Sequence, residues 1–208
     1  MAKSKTKKPK AAVRPMTFNG DVTPIGVDAS WTGLAVTALE RAAELLPLGT
    51  AKLSWQVRLS EVLSTSPADF PSQAARLESL GSQFLDVVNG ARGESCLVAI
   101  EGYAMGSKTR PQMAGELGGH LRLLLWQAGI PYIIVPPTTL KAYTSGSGQS
   151  KKSMMMMKAF KRWGYEAAGE DECDAYCLAR VAAEFAAGGW TKKFEGLAQG
   201  FEVVGVKA

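Results

Sequence analysis

Apolar residues recur with one spacing in the first third of the chain and with two alternating spacings after it, and this change of rhythm leaves few folds open. "PIGVDAS" and "TGLAVTAL" are short β-branched runs separated by a turn, and "AKLSWQVRLS" (51 to 60) alternates apolar and polar residues as a half-buried strand does. From Asp69 to Asn89, Ala75, Leu77, Leu80, Phe84, Val87 and Val88 fall near helical spacing, with Asp69 and Ser72 as candidate caps. "CLVAIEG" (96 to 102) is a continuous apolar run and predicts a buried strand; "PQMAGELGGHLRLLLWQAG" predicts a helix from Pro111, and "IPYIIVPP" one more strand closed by two prolines. "KKSMMMMKAFKRW" and "DECDAYCLARVAAEFAA" are two further helical patterns. Three strands in succession, then helices and strands in alternation, predict an α/β fold: a mixed five-stranded sheet begun by a meander, extended by crossover units and flanked by helices.

At 208 residues, 46% of them hydrophobic, the chain can bury the core of one domain, and nothing forces a second. The expected organisation is a basic flexible tail over residues 1–16, a folded domain over 17–190 and a C-terminal extension over 191–208. No run reaches the roughly 18 apolar residues of a membrane span, and the basic start has no apolar segment behind it, so a soluble, cytoplasmic protein is expected. Cys96, Cys173 and Cys177 are an odd and sparse set, suited to reduced core positions rather than to a disulfide framework.

Charge becomes informative once located. Lys3, Lys5, Lys7, Lys8, Lys10 and Arg14 lie in the first 14 residues without an acid, so the remainder carries 24 − 6 = 18 cations against 19 acids. The net charge of +5 therefore sits on the tail, which suits either contact with a polyanion or simple solubilisation. Between Pro136 and Trp163 six further cations (Lys141, Lys151, Lys152, Lys158, Lys161, Arg162) stand without a carboxylate, and nucleic acid is the first partner such a segment suggests.

Two acids close apolar strand patterns: Asp28 after "IGV" and Glu101 after "VAI". A carboxylate so placed needs a partner, a proton or a metal, because desolvation otherwise costs several kcal/mol. If the two strands are parallel neighbours, both acids emerge at one edge of the sheet. Asp171 and Asp174, three apart, share a face of the first turn of the final helical pattern, where the helix dipole favours negative charge. Taken alone they read as an ordinary acidic helix start, with Glu170 and Glu172 able to cap it. Taken with Asp28 and Glu101 they make four carboxylates that repel one another unless divalent cations lie between them. Oxygen ligands of this kind suit Mg²⁺, with Mn²⁺ able to substitute, and two such ions about 4 Å apart support phosphodiester hydrolysis.

These residues resemble the RuvC family of Holliday junction resolvases, of RNase H-like fold, and in particular its phage-type branch, over about residues 24 to 187. "IGVDASWTGLAV" looks like the family's first-strand motif, "VAIEGY" like its glutamate strand, "VPPTTLKAYTSGSGQSKKSMM" like its segment of proline, lysine, glycine-bearing loop and second lysine, and "DECDAYCLA" like its final Asp-x-x-Asp-Ala motif. The resemblance implies an Mg²⁺-dependent homodimeric endonuclease that nicks four-way junctions in a phage or bacterial cell. Asp28, Glu101, Asp171 and Asp174 would be its metal ligands and catalytic residues together with Lys152. DNA would be held by Lys141, Lys151, Lys152, Lys158 and Tyr103. The turn "ASWTG" is shorter than that of bacterial members, and Ala104 stands where those have an aromatic wedge, so Tyr103 either takes over base stacking or is packed and hydrogen-bonded.

Two other readings share these residues: a ribonuclease of the same fold acting on RNA/DNA hybrids, and a non-catalytic module that binds branched DNA. A sugar-kinase or actin-like ATPase needs two such domains, for which the chain is too short. His120 reads as a surface or interface histidine and Trp31 as half-buried packing or a base contact. Of Met154 to Met157, two are expected in the core and two on an adaptable surface. Gly115, Gly118 and Gly119 suggest close approach of their helix to another element, a dimer interface by the family resemblance.

Overall fold

The computed structural model describes Met16, Phe18 and residues 21–30, 33–45, 51–64, 67–103 and 111–205. Trp31, Ala104 and the basic residues of the first 14 lie outside these. Three strands open the fold, β1 (Thr23–Ala29), β2 (Leu34–Leu45) and β3 (Ala51–Leu63), joined as an antiparallel meander. A 3₁₀ turn (Pro67–Asp69) leads into α1 (Gln73–Ala91), whose N-cap is Ser72, its hydroxyl accepting from the Ala75 N–H; Asp69, the other candidate cap, belongs to the 3₁₀ turn. Then come β4 (Cys96–Glu101), α2 (Pro111–Gln127), β5 (Tyr132–Val135), α3 (Pro137–Ser145), α4 (Lys152–Trp163), α5 (Glu170–Ala187), α6 (Lys192–Ala198) and β6 (Glu202–Val204).

The sheet runs β3-β2-β1-β4-β5-β6, with β1, β4 and β5 parallel and the other neighbours antiparallel. This is the mixed sheet flanked by helices that the order of patterns predicts, with three additions: α3, α6 and a sixth strand. The prolines after β5 end that strand, but Pro137 also occupies the first turn of α3, where its missing N–H costs nothing. The segment beyond residue 190 adds β6 to the edge of β5 and contributes Phe194, Ala198 and Phe201 to the core. The acidic helix start therefore belongs to the penultimate helix, not the last.

Strand alternation sorts the core into two layers. In β4, Val98 and Ile100 face α1 and α2, where Leu80, Phe84, Val88, Leu117, Leu121 and Leu125 meet them. Leu97 and Ala99 face the opposite layer, built from α3 to α6 around the largely buried α5. In β1, Ile25 and Val27 join the first layer. By the same parity Gly26 and Asp28 turn toward α5, and Glu101 follows Leu97 and Ala99 to that side. Each large apolar side chain so buried contributes about 1.5–3 kcal/mol. The three cysteines are free and buried. Among the described residues no helix is long and apolar enough to cross a membrane.

Candidate active site

The register of β1 on β4 pairs Val27 with Ile100, so Asp28 and Glu101, each the next residue, lie side by side, the last residue of β4 beside the last but one of β1. The third wall is α5. A Cβ added to Gly26 would stand 1.9 Å from the Ala175 carbonyl oxygen and 2.2 Å from the Ala179 nitrogen, so the backbones of helix and strand touch. Only glycine permits that approach, and it brings Asp174, one turn above, over the end of β1. Asp28 and Asp174 are buried.

A cation lies against the α5 members of the group. Lys152, the first residue of α4, sets its Nζ 3.4 Å from Glu170 Oε2, 3.5 Å from Asp171 Oδ1 and 3.7 Å from Asp174 Oδ2. Burial pushes the Asp28 carboxyl well above its usual range, and the charges of Glu101, Asp174 and Asp171 push it further, against the opposing pull of Lys152. Glu101 rises to about 7, first by burial and then by repulsion from Asp174, with Lys152 and Lys141 opposing. Asp174 is raised by burial and by Asp171, again against Lys152 and Lys141. Burial alone would lower the Lys152 ammonium, but Asp174, Asp28, Asp171 and Glu170 together hold it above the ordinary lysine range. Four carboxylates from three separate elements thus sense one another electrostatically around a single ammonium.

Two neighbours support this arrangement: Ser30, which sequence reasoning did not single out, and Glu172, which it read only as a cap. The Ser30 hydroxyl accepts from the Gly33 N–H at 3.1 Å and lies 3.0 Å from Asp171 Oδ2 and 2.7 Å from the Gly33 carbonyl; its one proton serves one of these at a time. A serine two residues after a strand-ending acid and three before a glycine was the available signal. Glu172, read as a capping candidate, takes bonds from the Tyr165 hydroxyl, from the Ala168 N–H at 2.8 Å and from the Ser60 hydroxyl at 3.3 Å, while Ser60 pairs with Thr37 at 3.1 Å. It ties the start of α5 to β2, β3 and the preceding loop. Burial first, and the Glu172 bond second, hold the Tyr165 phenol above its ordinary range.

The other candidates fall elsewhere. Lys141, on α3, is half-buried and near enough to the acids to lower Glu101 and Asp174. Lys151 is exposed at the N-cap of α4, and Lys158 is half-buried about two turns further along. Tyr103 leaves the site for α2: its hydroxyl donates to the Gly115 carbonyl at 3.1 Å, and the Arg122 guanidinium lies 4.4 Å from its ring centre. Its ring lies 3.5–3.7 Å from where side chains at Gly115, Gly118 and Gly119 would begin, so these glycines receive a tyrosine of the same chain. His120 packs against Gly81 of α1.

As a donor set, four buried or half-buried carboxylates without nitrogen or sulfur fit a hard divalent cation, and the Lys152 ammonium supplies positive charge beside two of them, Asp171 and Asp174. Among the described residues, however, no three acidic, histidine or cysteine side chains stand close enough together to form a finished cage.

No protein-family model matches the chain, and no curated protein matches it. Solved structures do match it, two of them RuvC structures. The Thermus thermophilus RuvC structure aligns with a TM-score of 0.63 at 22% identity, over 80% of this chain and 95% of that one. T. thermophilus RuvC in complex with Holliday junction substrate aligns at 0.60 and 21%, over the same shares. At such identity the likeness is one of fold, and the chain has the α/β architecture of RuvC, consistent with the RNase H-like class.

Proposed function

We propose that this protein is an Mg²⁺-dependent, structure-selective endonuclease that cuts four-way or otherwise branched DNA. One observation supports the reading: β1 and β4 end side by side under the start of α5, and there burial and mutual repulsion hold the Asp28, Glu101 and Asp174 carboxyls above their ordinary range despite the opposing charge of Lys152. A fold gains nothing in stability from such crowding, so a cation brought with the substrate is its natural complement. Similarity of fold to a protein solved with a Holliday junction supports branched DNA as the substrate class.

Asp28, Glu101, Asp171 and Asp174 would hold the metal ions, with Ser30 orienting Asp171 and Glu172 fixing the helix that carries two of the ligands. Bound Mg²⁺ supplies activation of a water and stabilisation of the departing oxygen. Lys152 leaves the carboxylates for the scissile phosphate, and Lys141 neutralises the adjoining backbone. Sheet and helices exclude bulk water from Asp28 and Asp174, which strengthens each of these charge interactions. Action on branched DNA with symmetric nicking would need a homodimer.

Asp28→Asn and Asp174→Asn should each abolish Mg²⁺-dependent nicking of a synthetic four-way junction while leaving junction binding in EDTA nearly intact. Cleavage retained by both variants refutes the ligand assignment, and a panel of junction, flap and RNA/DNA hybrid tests the substrate class. A lysine already neutralising three acids also favours a second reading, a branched-DNA-binding module without catalysis; salt-sensitive junction binding with no metal-dependent turnover would establish it.

A further inference from the structure

Helix α4 divides its four consecutive methionines. Met155 is buried and Met156 packs against the core, whereas Met154 and Met157 are 41% and 39% exposed, and Phe160 is 56% exposed. The three exposed residues recur every third position, so they form one stripe on the water-facing side, with about 4.5 Å of rise between neighbours. Lys151, Lys158 and Lys161 border it, within the 28-residue stretch from Pro136 to Trp163 that contains no carboxylate. The stripe starts two residues beyond Lys152, at the mouth of the acid cluster.

Three large apolar groups among cations match one kind of occupant. A second copy of this chain meeting the same face would set its lysines against these, which like-charge repulsion opposes. A duplex backbone would satisfy the lysines and leave two methionines and a phenylalanine against phosphates. Unpaired bases satisfy both: their faces are apolar and polarisable, suited to thioether and ring contacts, and each carries a phosphate for a neighbouring lysine.

We propose that the outer face of α4 is a base-stacking surface, on which Met154, Met157 and Phe160 receive unpaired bases of DNA while Lys151, Lys158 and Lys161 hold the adjoining phosphates. This rests on the branched-DNA reading, since a branch point is where unpaired bases adjoin the cutting site, and it assigns the stacking to α4 rather than to Tyr103, which is engaged on α2.

The test uses the full chain in EDTA with two probes: a single-stranded oligonucleotide and a four-way junction, each carrying 2-aminopurine, in the junction at the branch. The double substitution Met157→Ser with Phe160→Ser, at exposed positions that should leave the unfolding midpoint unchanged, should weaken binding of both probes about tenfold or more and abolish the change in 2-aminopurine fluorescence, with the salt dependence unaltered. Lys158→Gln with Lys161→Gln should keep the fluorescence change and reduce the log–log salt slope on single strands by about 1.4. Full affinity and a full fluorescence change in the Met157/Phe160 variant would overturn the proposal, as would a drop of that variant to a smaller species in sedimentation. Single-strand binding through this face by a chain that neither recognises nor cuts junctions would overturn the endonuclease reading and leave the stacking surface standing.

Discussion

Gly26→Ala is the smallest change that should separate the two halves of the site. The added methyl carbon would lie 1.9 Å from the Ala175 carbonyl oxygen, 2.2 Å from the Ala179 nitrogen and 2.9 Å from the Leu178 carbonyl carbon. Ordinary contact begins near 3.4 Å, so α5 must retreat from β1 by about 1.5 Å. All three obstacles are backbone, and no side-chain rotation relieves them. Overpacking of one methyl group usually costs about 1–3 kcal/mol. Displacing the central helix, whose buried face runs from Cys173 to Phe185, places this substitution at the upper end of that range or beyond. The displacement also carries Asp171 and Asp174 away from Asp28 and Glu101. A misplacement of about 1 Å can cost on the order of a hundredfold in rate. Urea unfolding should therefore show a loss of about 3 kcal/mol. Single-turnover nicking of a four-way junction, at a temperature where the variant is fully folded, should fall about a hundredfold, while junction binding in EDTA persists. An unfolding free energy within 0.5 kcal/mol of the parent, about the scatter of surface substitutions, would refute the claim that strand and helix backbones touch at Gly26.

Two further outcomes follow from the charges. Because Glu101 is raised from 4.5 to about 7, the folded chain keeps this proton where the unfolded chain has released it, so its presence weakens the fold progressively as pH rises from about 4.5 to 7. Glu101→Gln should match the parent in stability near pH 4.5 and exceed it at pH 8, by on the order of 3 kcal/mol in EDTA and by less once Mg²⁺ stabilises the parent; denaturant melts across this range check it, and a pH-independent difference would contradict it. Glu172→Ala leaves Tyr165, Ser60 and the Ala168 N–H without their carboxylate and should cost on the order of 3 kcal/mol in unfolding, with the Tyr165 phenol titrating lower by ultraviolet absorbance; an unshifted phenol would show that the Glu172 bond does not hold it.

Much of this protein can be read from local order. The runs "IGVD" and "VAIE" close buried strands, and period-two alternation fixes the face on which Asp28 and Glu101 emerge; the helical spacing of Leu80, Phe84 and Val88 marks the helix face that covers the opposite side of the sheet. These are properties of near neighbours in the chain, since backbone geometry alone dictates which side chains share a side. Short elements escape the same logic. Helix α3 begins at prolines that also end a strand, and β6 is three residues held by pairing with β5 rather than by any pattern of its own. The bonds of Ser30 to Asp171 and of Glu172 to Ser60 also needed the tertiary structure, because the partners lie on elements remote in sequence. So did the descent of α5 onto Gly26 and the entry of the Lys152 ammonium among the acids. The sequence by itself determined which residues carry charge and toward which face they turn. Only packing decided the distances between them, because burial and charge interactions depend on what stands across a gap of a few ångströms, and that neighbour is chosen by how whole helices settle on the sheet.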